Sequence, residues 1–252
     1  MLKSSELVVY GKQPVKEALL SGHTVKRLII GREIPPKENS FYKQLAERRN
    51  IDVEIIAKGQ IQRYCGPVLH QGVAAVMGAF RYHDEPGLME LIDKSEMPFL
   101  IILDQVQDPH NLGAVLRTAE AAGVTAVIIP DKGSAEITGT VAKTSAGAVF
   151  HIPVHRTENL FSLIEKLKTG GIKIIALAPG RQNILYNFDL NRPVALVIGS
   201  EGKGIRKNLQ NLCDHIFSIP QSGKLGSLNA SVSAALIIFE TVRQRDFAVT
   251  KK

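Results

Sequence analysis

Four apolar runs that follow Pro98 constrain the fold more than any other feature of this 252-residue chain. They cover residues 99–103, 126–129, 174–177 and 194–198, and each is a continuous stretch rich in Val, Ile and Leu. Segments long enough to form helices separate them. Continuous apolar runs of this length are typical of parallel strands that are covered on both faces. The sequence therefore predicts an α/β structure with a parallel sheet in this part of the chain.

The first 80 residues predict a smaller α/β unit. Strand-like runs occupy residues 7–10, 25–30, 53–56 and 73–77, and helix patterns occupy residues 14–20 and 39–49. The polar stretch 81–87 ends in Pro-Gly and is the clearest linker in the sequence. We therefore predict an N-terminal domain at 1–80, a linker at 81–97 and a larger domain at 98–252.

The positive charge of the chain is unevenly distributed. The formal net charge is +7, and residues 1–83 contain 13 Lys and Arg against 7 Asp and Glu, whereas residues 84–252 contain 18 against 17. Localised positive charge attracts a polyanion such as RNA. An RNA partner is therefore one interpretation, and a mildly basic protein that binds no nucleic acid is the other.

Composition and short motifs exclude several classes of protein. With 44% hydrophobic and 22% charged residues, the chain is of ordinary globular composition. No apolar run approaches the roughly 18 to 20 residues of a membrane-spanning helix, and no secretory signal pattern follows Met1. We therefore expect a cytoplasmic protein with no membrane partner. Cys65 and Cys213 lack the spacing of zinc ligands, so we expect no metal.

Residues 108–123 are the first of three segments that carry chemistry. We expect Asn111 to cap a helix that runs to about Ala122, because Pro109 keeps the preceding residue out of helical geometry. The spacing places an apolar stripe on one face of this helix and Arg117 on the other, beside small residues. A solvated face is normally rich in Lys and Glu, so this face is interpreted as contacting an anion or a partner chain. A surface arginine beside incidental alanines is the alternative.

Residues 194–205 are the second segment, an apolar run that ends in a glycine-rich turn. Gly199, Gly202 and Gly204 allow a sharp turn and a close approach of the backbone to a ligand. The turn matches neither common phosphate-binding glycine motif, and Glu201 at its centre would repel a phosphate. The pattern favours a ligand that is cationic or rich in hydroxyls. A tight turn without a ligand is the alternative.

Residues 219–240 are the third segment, a loop with two glycines that leads into a helix. We expect this helix to begin near Asn229. Ser227 and Asn229 then lie where the N-terminus of the helix offers free N–H groups. These two residues either contact a ligand or act as plain capping residues.

Together and in this order, the three segments resemble the signature motifs of the TrmH/SpoU-type RNA ribose 2′-O-methyltransferases of the SPOUT superfamily. The matching residues are Asn111 and Arg117 in the first, Gly199, Glu201, Gly202 and Gly204 in the second, and Ser227, Leu228 and Asn229 in the third. The N-terminal sequences VVYGKQPVKEALLSG and HQGVAA resemble members with an L30e-like RNA-binding domain. The whole chain is most similar to the branch that methylates a guanosine of 23S rRNA.

The resemblance implies a deep trefoil knot in the C-terminal domain, a homodimer with its active site at the interface, and S-adenosylmethionine as methyl donor, without a metal. By position in the family motifs, the donor would contact Leu177, Ala178, Gly199, Glu201, Gly204, Ile219 and Leu228. The catalytic residues would be Arg117, Asn111, Glu201, Ser227 and Asn229. Arg117 would be either the general base or a clamp on the target phosphate and 2′-oxygen, and the very high pKa of arginine favours the clamp. A tRNA substrate and a non-catalytic RNA-binding protein are the alternatives.

Overall fold

The computed structural model describes residues 6–178, 183–223 and 227–247. Within these residues the strands are β1 (Leu7–Tyr10), β2 (Val25–Gly31), β3 (Asp52–Ile56), β4 (Val73–Met77), β5 (Phe99–Asp104), β6 (Ala126–Pro130), β7 (Val154–Thr157), β8 (Lys173–Leu177), β9 (Val194–Gly199) and β10 (His215–Phe217). The α-helices of the same residues are α1 (Lys12–Leu20), α2 (Pro36–Glu47), α3 (Gln62–Cys65), α4 (Glu85–Asp93), α5 (Pro109–Ala121), α6 (Gly139–Thr144), α7 (Leu160–Thr169), α8 (Lys207–Gln210) and α9 (Ala230–Asp246). The chain divides into two compact units, one of Met1–Arg81 with Glu136–His151 and one of Tyr82–Ala135 with Ile152–Lys252.

The first unit contains a four-stranded mixed sheet in the order β1-β4-β2-β3. β4 runs antiparallel to both β1 and β2, and β2 runs parallel to β3. All four strands and both long helices predicted for the first 80 residues are confirmed, with ends that shift by up to three residues. Apolar side chains from the strands and the turn after β3 form a core, which contains Tyr10, Ile29, Ile61, Ala74 and Val76.

The second unit contains a six-stranded sheet in the order β10-β8-β9-β5-β6-β7, and every strand pair in it is parallel. The predicted parallel sheet is therefore confirmed. Every residue of β5 and β6 is buried, as expected for strands covered on both faces. Helices α4, α7 and α8 pack on one face around Leu100, Ile102 and Val197. Strand alternation turns Ile101 and Leu196 to the opposite face, where α9 contacts β9 and α5 packs on α9.

Two segments of the chain are assigned differently from the prediction. Residues 81–97, predicted as a linker, contain α4, which begins after Asp84 because the Asp84 carboxylate accepts a hydrogen bond from the N–H of Gly87 at 2.9 Å. Leu88 and Ile92 of α4 lie in the core of the second unit. Glu136–His151, which lie within the predicted larger domain, group instead with the first unit, where α6 contacts β1.

Candidate active site

The first predicted segment forms the loop after β5 and helix α5. The helix begins at Pro109, and the Asp108 carboxylate accepts a hydrogen bond from the N–H of His110 at 2.9 Å. The prediction that Asn111 caps this helix is therefore wrong, because proline suits the first helical position and the cap falls on the residue before it. Asn111 lies instead in the first turn of α5 and is 6% exposed. Its side chain is thus held in the protein, where it can position a neighbour.

The second predicted segment leaves the sheet at the end of β9 as a closed turn, the glycine loop, defined here as residues 199–204. Two hydrogen bonds close it, from the N–H of Ser200 to the carbonyl of Gly204 at 3.2 Å and from the N–H of Gly204 to the carbonyl of Ser200 at 2.9 Å. A Cβ on Gly199 would lie 2.2 Å from the carbonyl carbon of Gly204. Only glycine therefore fits at this first position. Gly202 and Gly204 have φ of 79° and 66°, in the left-handed region.

The third predicted segment leads into α9, and Asn229 is its N-cap, as expected. The Asn229 Oδ1 accepts hydrogen bonds from the N–H of Ser231 at 2.8 Å and of Val232 at 3.2 Å. Its Nδ2 donates to the Asn111 Oδ1 at 3.0 Å and to a carboxylate oxygen of Glu201. One side-chain amide therefore caps a helix and joins all three predicted segments. Residues 224–226 of the third segment lie outside the described residues.

A cleft opens where β8, β9 and β10 end. Ligands of open parallel sheets bind at the carboxyl ends of the strands, so this is the expected place for a site. The empty space of the cleft, with the open solvent at its mouth included, is about 680 Å³. The described residues that line it are Leu177, Ala178, Ile198, Gly199, Ser200, Glu201, Gly202, Gly204, Ile219, Gln221, Ser227, Leu228, Ala230 and Ser233. All seven residues predicted to contact a donor are among them.

Six aliphatic residues and three glycines form most of the lining of the cleft, and Glu201 is the one charged side chain among the described residues that line it. A largely apolar cleft with one carboxylate favours a ligand with an apolar part and a positive charge. Ser227 lines the cleft with an exposed side chain.

The described chain contains no group of three or more His, Cys, Asp or Glu suited to a metal ion. None of the described helices is long and apolar enough to cross a membrane.

Among the predicted catalytic residues, Arg117 alone neither lines the cleft nor takes part in the hydrogen bonds of Asn229 in the described part of the chain. It lies six residues after Asn111, which places it about 9 Å further along α5 and about 120° around the helix. Its side chain is exposed and makes no hydrogen bond or ion pair with the described residues. The guanidinium is therefore available to a group outside the chain.

Sequence reasoning missed the pair formed by Asp104 and Arg206. The Asp104 carboxylate is fully buried at the end of β5 and accepts hydrogen bonds from the Arg206 backbone N–H and guanidinium, each at 2.8 Å. The signal for this pair is a carboxylate that ends an otherwise apolar run of β5, which indicates a buried partner of opposite charge.

Comparisons with known proteins identify the family of the chain. The model of the SpoU rRNA methylase family matches residues 98–239, and that of the RNA 2′-O ribose methyltransferase substrate-binding family matches residues 8–83. A Staphylococcus saprophyticus protein named as a TrmH family tRNA/rRNA methyltransferase is 39% identical, over 96% of this chain and 97% of that protein. The chain belongs to the SpoU rRNA methylase family. It is therefore an RNA methyltransferase of the SpoU/TrmH type.

A further relative and two solved structures align over nearly the full length of the chain. A Bacillus subtilis protein, also named as a TrmH family tRNA/rRNA methyltransferase, is 38% identical over 94% of this chain and 96% of that protein. The crystal structure of the SpoU methyltransferase AviRb from Streptomyces viridochromogenes, in complex with AdoMet, has a TM-score of 0.81 at 24% identity and covers 96% of this chain and 91% of that one. The AdoMet-bound rRNA methyltransferase from Sinorhizobium meliloti has a TM-score of 0.79 at 24% identity, over 95% and 88% of the two chains. The SPOUT fold predicted for the chain is confirmed by these likenesses.

Proposed function

We propose that the protein transfers the methyl group of S-adenosylmethionine to a ribose 2′-hydroxyl of RNA, and that a guanosine of 23S rRNA is its target. One observation carries this proposal. The cleft gathers the seven residues predicted for the donor, and at its mouth the Asn229 amide holds Asn111 and Glu201 together. A tight turn and a plain helix cap would not need this meeting of three distant segments.

The residues of the cleft fit the donor. Leu177, Ile198, Ile219 and Leu228 offer aliphatic surface to an adenine ring, and the Glu201 carboxylate favours a positive sulfonium. Gly202 and Gly204 have no atom within 4 Å of the place a Cβ would occupy, so the backbone there is open to close approach. When bound, the donor supplies a methyl group on a positively charged sulfur, which a ribose oxygen can attack without a metal.

In this proposal, the side chains at the mouth of the cleft position the 2′-oxygen of the target for methyl transfer. A ribose hydroxyl is a very weak acid, so its oxygen has to be aligned with the methyl group, and the proton that it loses has to pass to an acceptor, for which the proposal takes a phosphate oxygen of the RNA. Asn229, Asn111 and Ser227 orient the nucleotide, and Glu201 is held by Asn229. Arg117 clamps the phosphate and the 2′-oxygen of the target, because a guanidinium remains charged at any ordinary pH.

Arg117 reaches the site from a second copy of the chain in this proposal. Helix α9 exposes Val232, Leu236 and Phe239, which are 46%, 39% and 50% exposed and recur at helical spacing along one face. Helix α5, which packs on α9, exposes Arg117. An apolar stripe beside an unpaired cation is the surface expected of a homodimer interface. The homodimer, and a trefoil knot in the second unit, are what the family resemblance implies.

The first unit binds the RNA substrate in this proposal, as an L30e-like domain of a cytoplasmic enzyme. At one end of its sheet, exposed basic side chains follow the carboxyl ends of β2 and β3, namely Arg32, Lys58 and Arg63. The N–H of Gly31 donates to the carbonyl of Gly72 at 2.8 Å, so β4 begins at this same end. Phosphate contacts of such side chains supply most of the affinity for RNA.

The experiment that tests the function combines the purified protein with labelled S-adenosylmethionine and RNA from a strain that lacks the gene. We expect label on a ribose of 23S rRNA, which primer extension then maps to one guanosine. Label in tRNA would support the tRNA alternative, which the names of the relatives also allow. RNA binding without transfer to any RNA would contradict the enzymatic proposal.

A further inference from the structure

A buried carboxylate lies beneath the glycine loop. Asp104 ends β5 with no exposed surface, and a charge in such a place is costly unless both oxygens are paired. Its Oδ2 accepts from the backbone N–H of Arg206 at 2.8 Å, and its Oδ1 accepts from the guanidinium through Nε and Nη2, each at 2.8 Å. The Arg206 guanidinium also lies 5.4 Å from the centre of the Phe161 ring. Both halves of the pair are therefore fixed in place.

Asp104 lies beside the residue that begins the glycine loop and is hydrogen-bonded to the chain just after the loop ends. In the pairing of β5 with β9 it stands directly beside Gly199, the first residue of the loop. Arg206 follows the loop by two residues, with Ile205 buried between them. The strand ladder thus holds the start of the loop at Asp104, and the carboxylate holds the chain that leaves it. A shift of Arg206 would move the exit of the loop relative to its entry.

The same carboxylate begins the path to α5. Gln105, the next residue, has a φ of 59° in the left-handed region, which makes the turn after Asp104 strained for a residue other than glycine. Asn111 lies on the helix that follows, and Glu201 lies on the glycine loop. Both are joined to Asn229. Asp104 therefore lies where the segment that leads to α5 begins and next to the glycine loop. Asn111 and Glu201 of these two segments meet at the mouth of the cleft.

We propose that Asp104, acting through Arg206, is a positioning residue that fixes the shape of the glycine loop and thereby the affinity for the methyl donor. This inference rests on the proposed function. The loop contributes five of the residues that line the cleft, so its displacement alters the donor site directly. Stability alone does not call for a charged pair here, because apolar residues of similar volume often replace a buried ion pair without loss of stability.

Asp104→Asn tests the inference with a nearly isosteric change. One carboxylate oxygen becomes an amide NH₂, which cannot accept a hydrogen bond and faces the donors of Arg206. We expect the Kd for S-adenosylmethionine, measured by calorimetry on the full-length protein, to rise roughly tenfold or more. The Kd for RNA should stay within about twofold, because the basic surface of the first unit is untouched.

Two control variants separate positioning from general stability. Asp131→Asn makes the same chemical change at the end of the neighbouring strand β6, where the Asp131 carboxylate pairs with Arg156 at 2.7 Å and holds no part of the glycine loop. Leu163→Ala removes a buried side chain from the core and lowers the thermal midpoint without touching the loop. We expect both controls to bind the donor with the Kd of the parent protein.

Arg206→Lys keeps the inference testable where Asp104→Asn fails to fold. Lysine retains the backbone N–H donor and a positive charge but loses the two-pronged contact, so the donor Kd should rise by a smaller factor, about threefold to tenfold. A donor Kd within twofold of the parent value in every folded variant of the pair would overturn the inference while the proposed function stands. A parent protein that binds no donor at all would overturn the proposed function and this inference together.

Discussion

Asn229 has two roles that depend on two different side-chain atoms, and substitution by serine distinguishes the two roles. Its Oδ1 caps α9, whereas its Nδ2 joins Asn111 and Glu201. In Asn229→Ser, the hydroxyl can still cap the helix but cannot reach the other two side chains. In Asn229→Ala, both tasks are lost. The two variants therefore share the defect at the site and differ in the cap.

The size of each effect follows from the bonds removed. The hydrogen bond to the Glu201 carboxylate is worth about 1.5–3 kcal/mol and the neutral one to Asn111 about 1 kcal/mol. A loss of about 3 kcal/mol at the site lowers kcat/KM roughly 100-fold. The cap contributes about 1 kcal/mol, so the serine variant should unfold about 2–4 °C above the alanine variant.

Methyl transfer to RNA and thermal unfolding by circular dichroism measure the two effects on the same preparations. We expect both variants to lose transfer to the same extent while their thermal midpoints differ. Parental transfer by Asn229→Ser would refute the reasoning, because the amide would then have no part in the reaction. If methyl transfer instead falls further in the alanine variant than in the serine variant, in step with the thermal midpoints, Asn229 acts only as a capping residue.

Three further variants test other parts of the account. Arg117→Ala should lower methyl transfer roughly 100-fold or more while the donor Kd in calorimetry stays within a few-fold of the parent value, and normal transfer would remove Arg117 from the site. Lys58→Ala should reduce the slope of log Kd for RNA against log salt by about 0.7, whereas Arg48→Ala, at the end of α2 away from the proposed surface, should leave it unchanged; equal slopes would contradict the placement of that surface. Glu240→Gln tests a charge on α9: a hydrogen bond from Arg243 holds the pKa of Glu240 below 4.5 in the folded protein. Stability from this carboxylate is present above the unfolded pKa and is lost as pH falls through the folded pKa. The variant should therefore have a lower thermal midpoint than the parent at pH 7, and the difference should shrink as the pH falls below 4.5.

The sheet of the second unit could be predicted because its strands are buried on both faces. A run such as 194–198 has one interpretation once its length and flanking segments are known. β10 and β7 escaped prediction since each is short and includes a polar residue, such as His215, that the edge of the sheet tolerates. Helix α4 escaped because Pro86 and Gly87 favour a turn, yet proline also suits the first turn of a helix.

The site could be predicted as a set of residues but not as a geometry. The predicted residues include nine of the fourteen described residues that line the cleft. The bond from Asn229 to Asn111, in contrast, spans 118 positions in sequence and depends on how α5 packs on α9. The pair of Asp104 and Arg206 depends likewise on the neighbouring places of β5 and β9 in the sheet. Tertiary contacts of this kind leave little local signal beyond a polar residue at the end of an apolar run.

The central claim is that Arg117 of one copy completes the cleft of another. Mixing two inactive variants tests this claim most directly. In a heterodimer of Arg117→Ala and Asn229→Ser chains, shared sites would give one doubly altered site and one intact site. Random pairing of equal amounts makes half of the dimers mixed, so the account predicts recovery of about a quarter of parental methyl transfer. Transfer no higher than the sum of the two separate variants, in a preparation shown to contain mixed dimers, would contradict it.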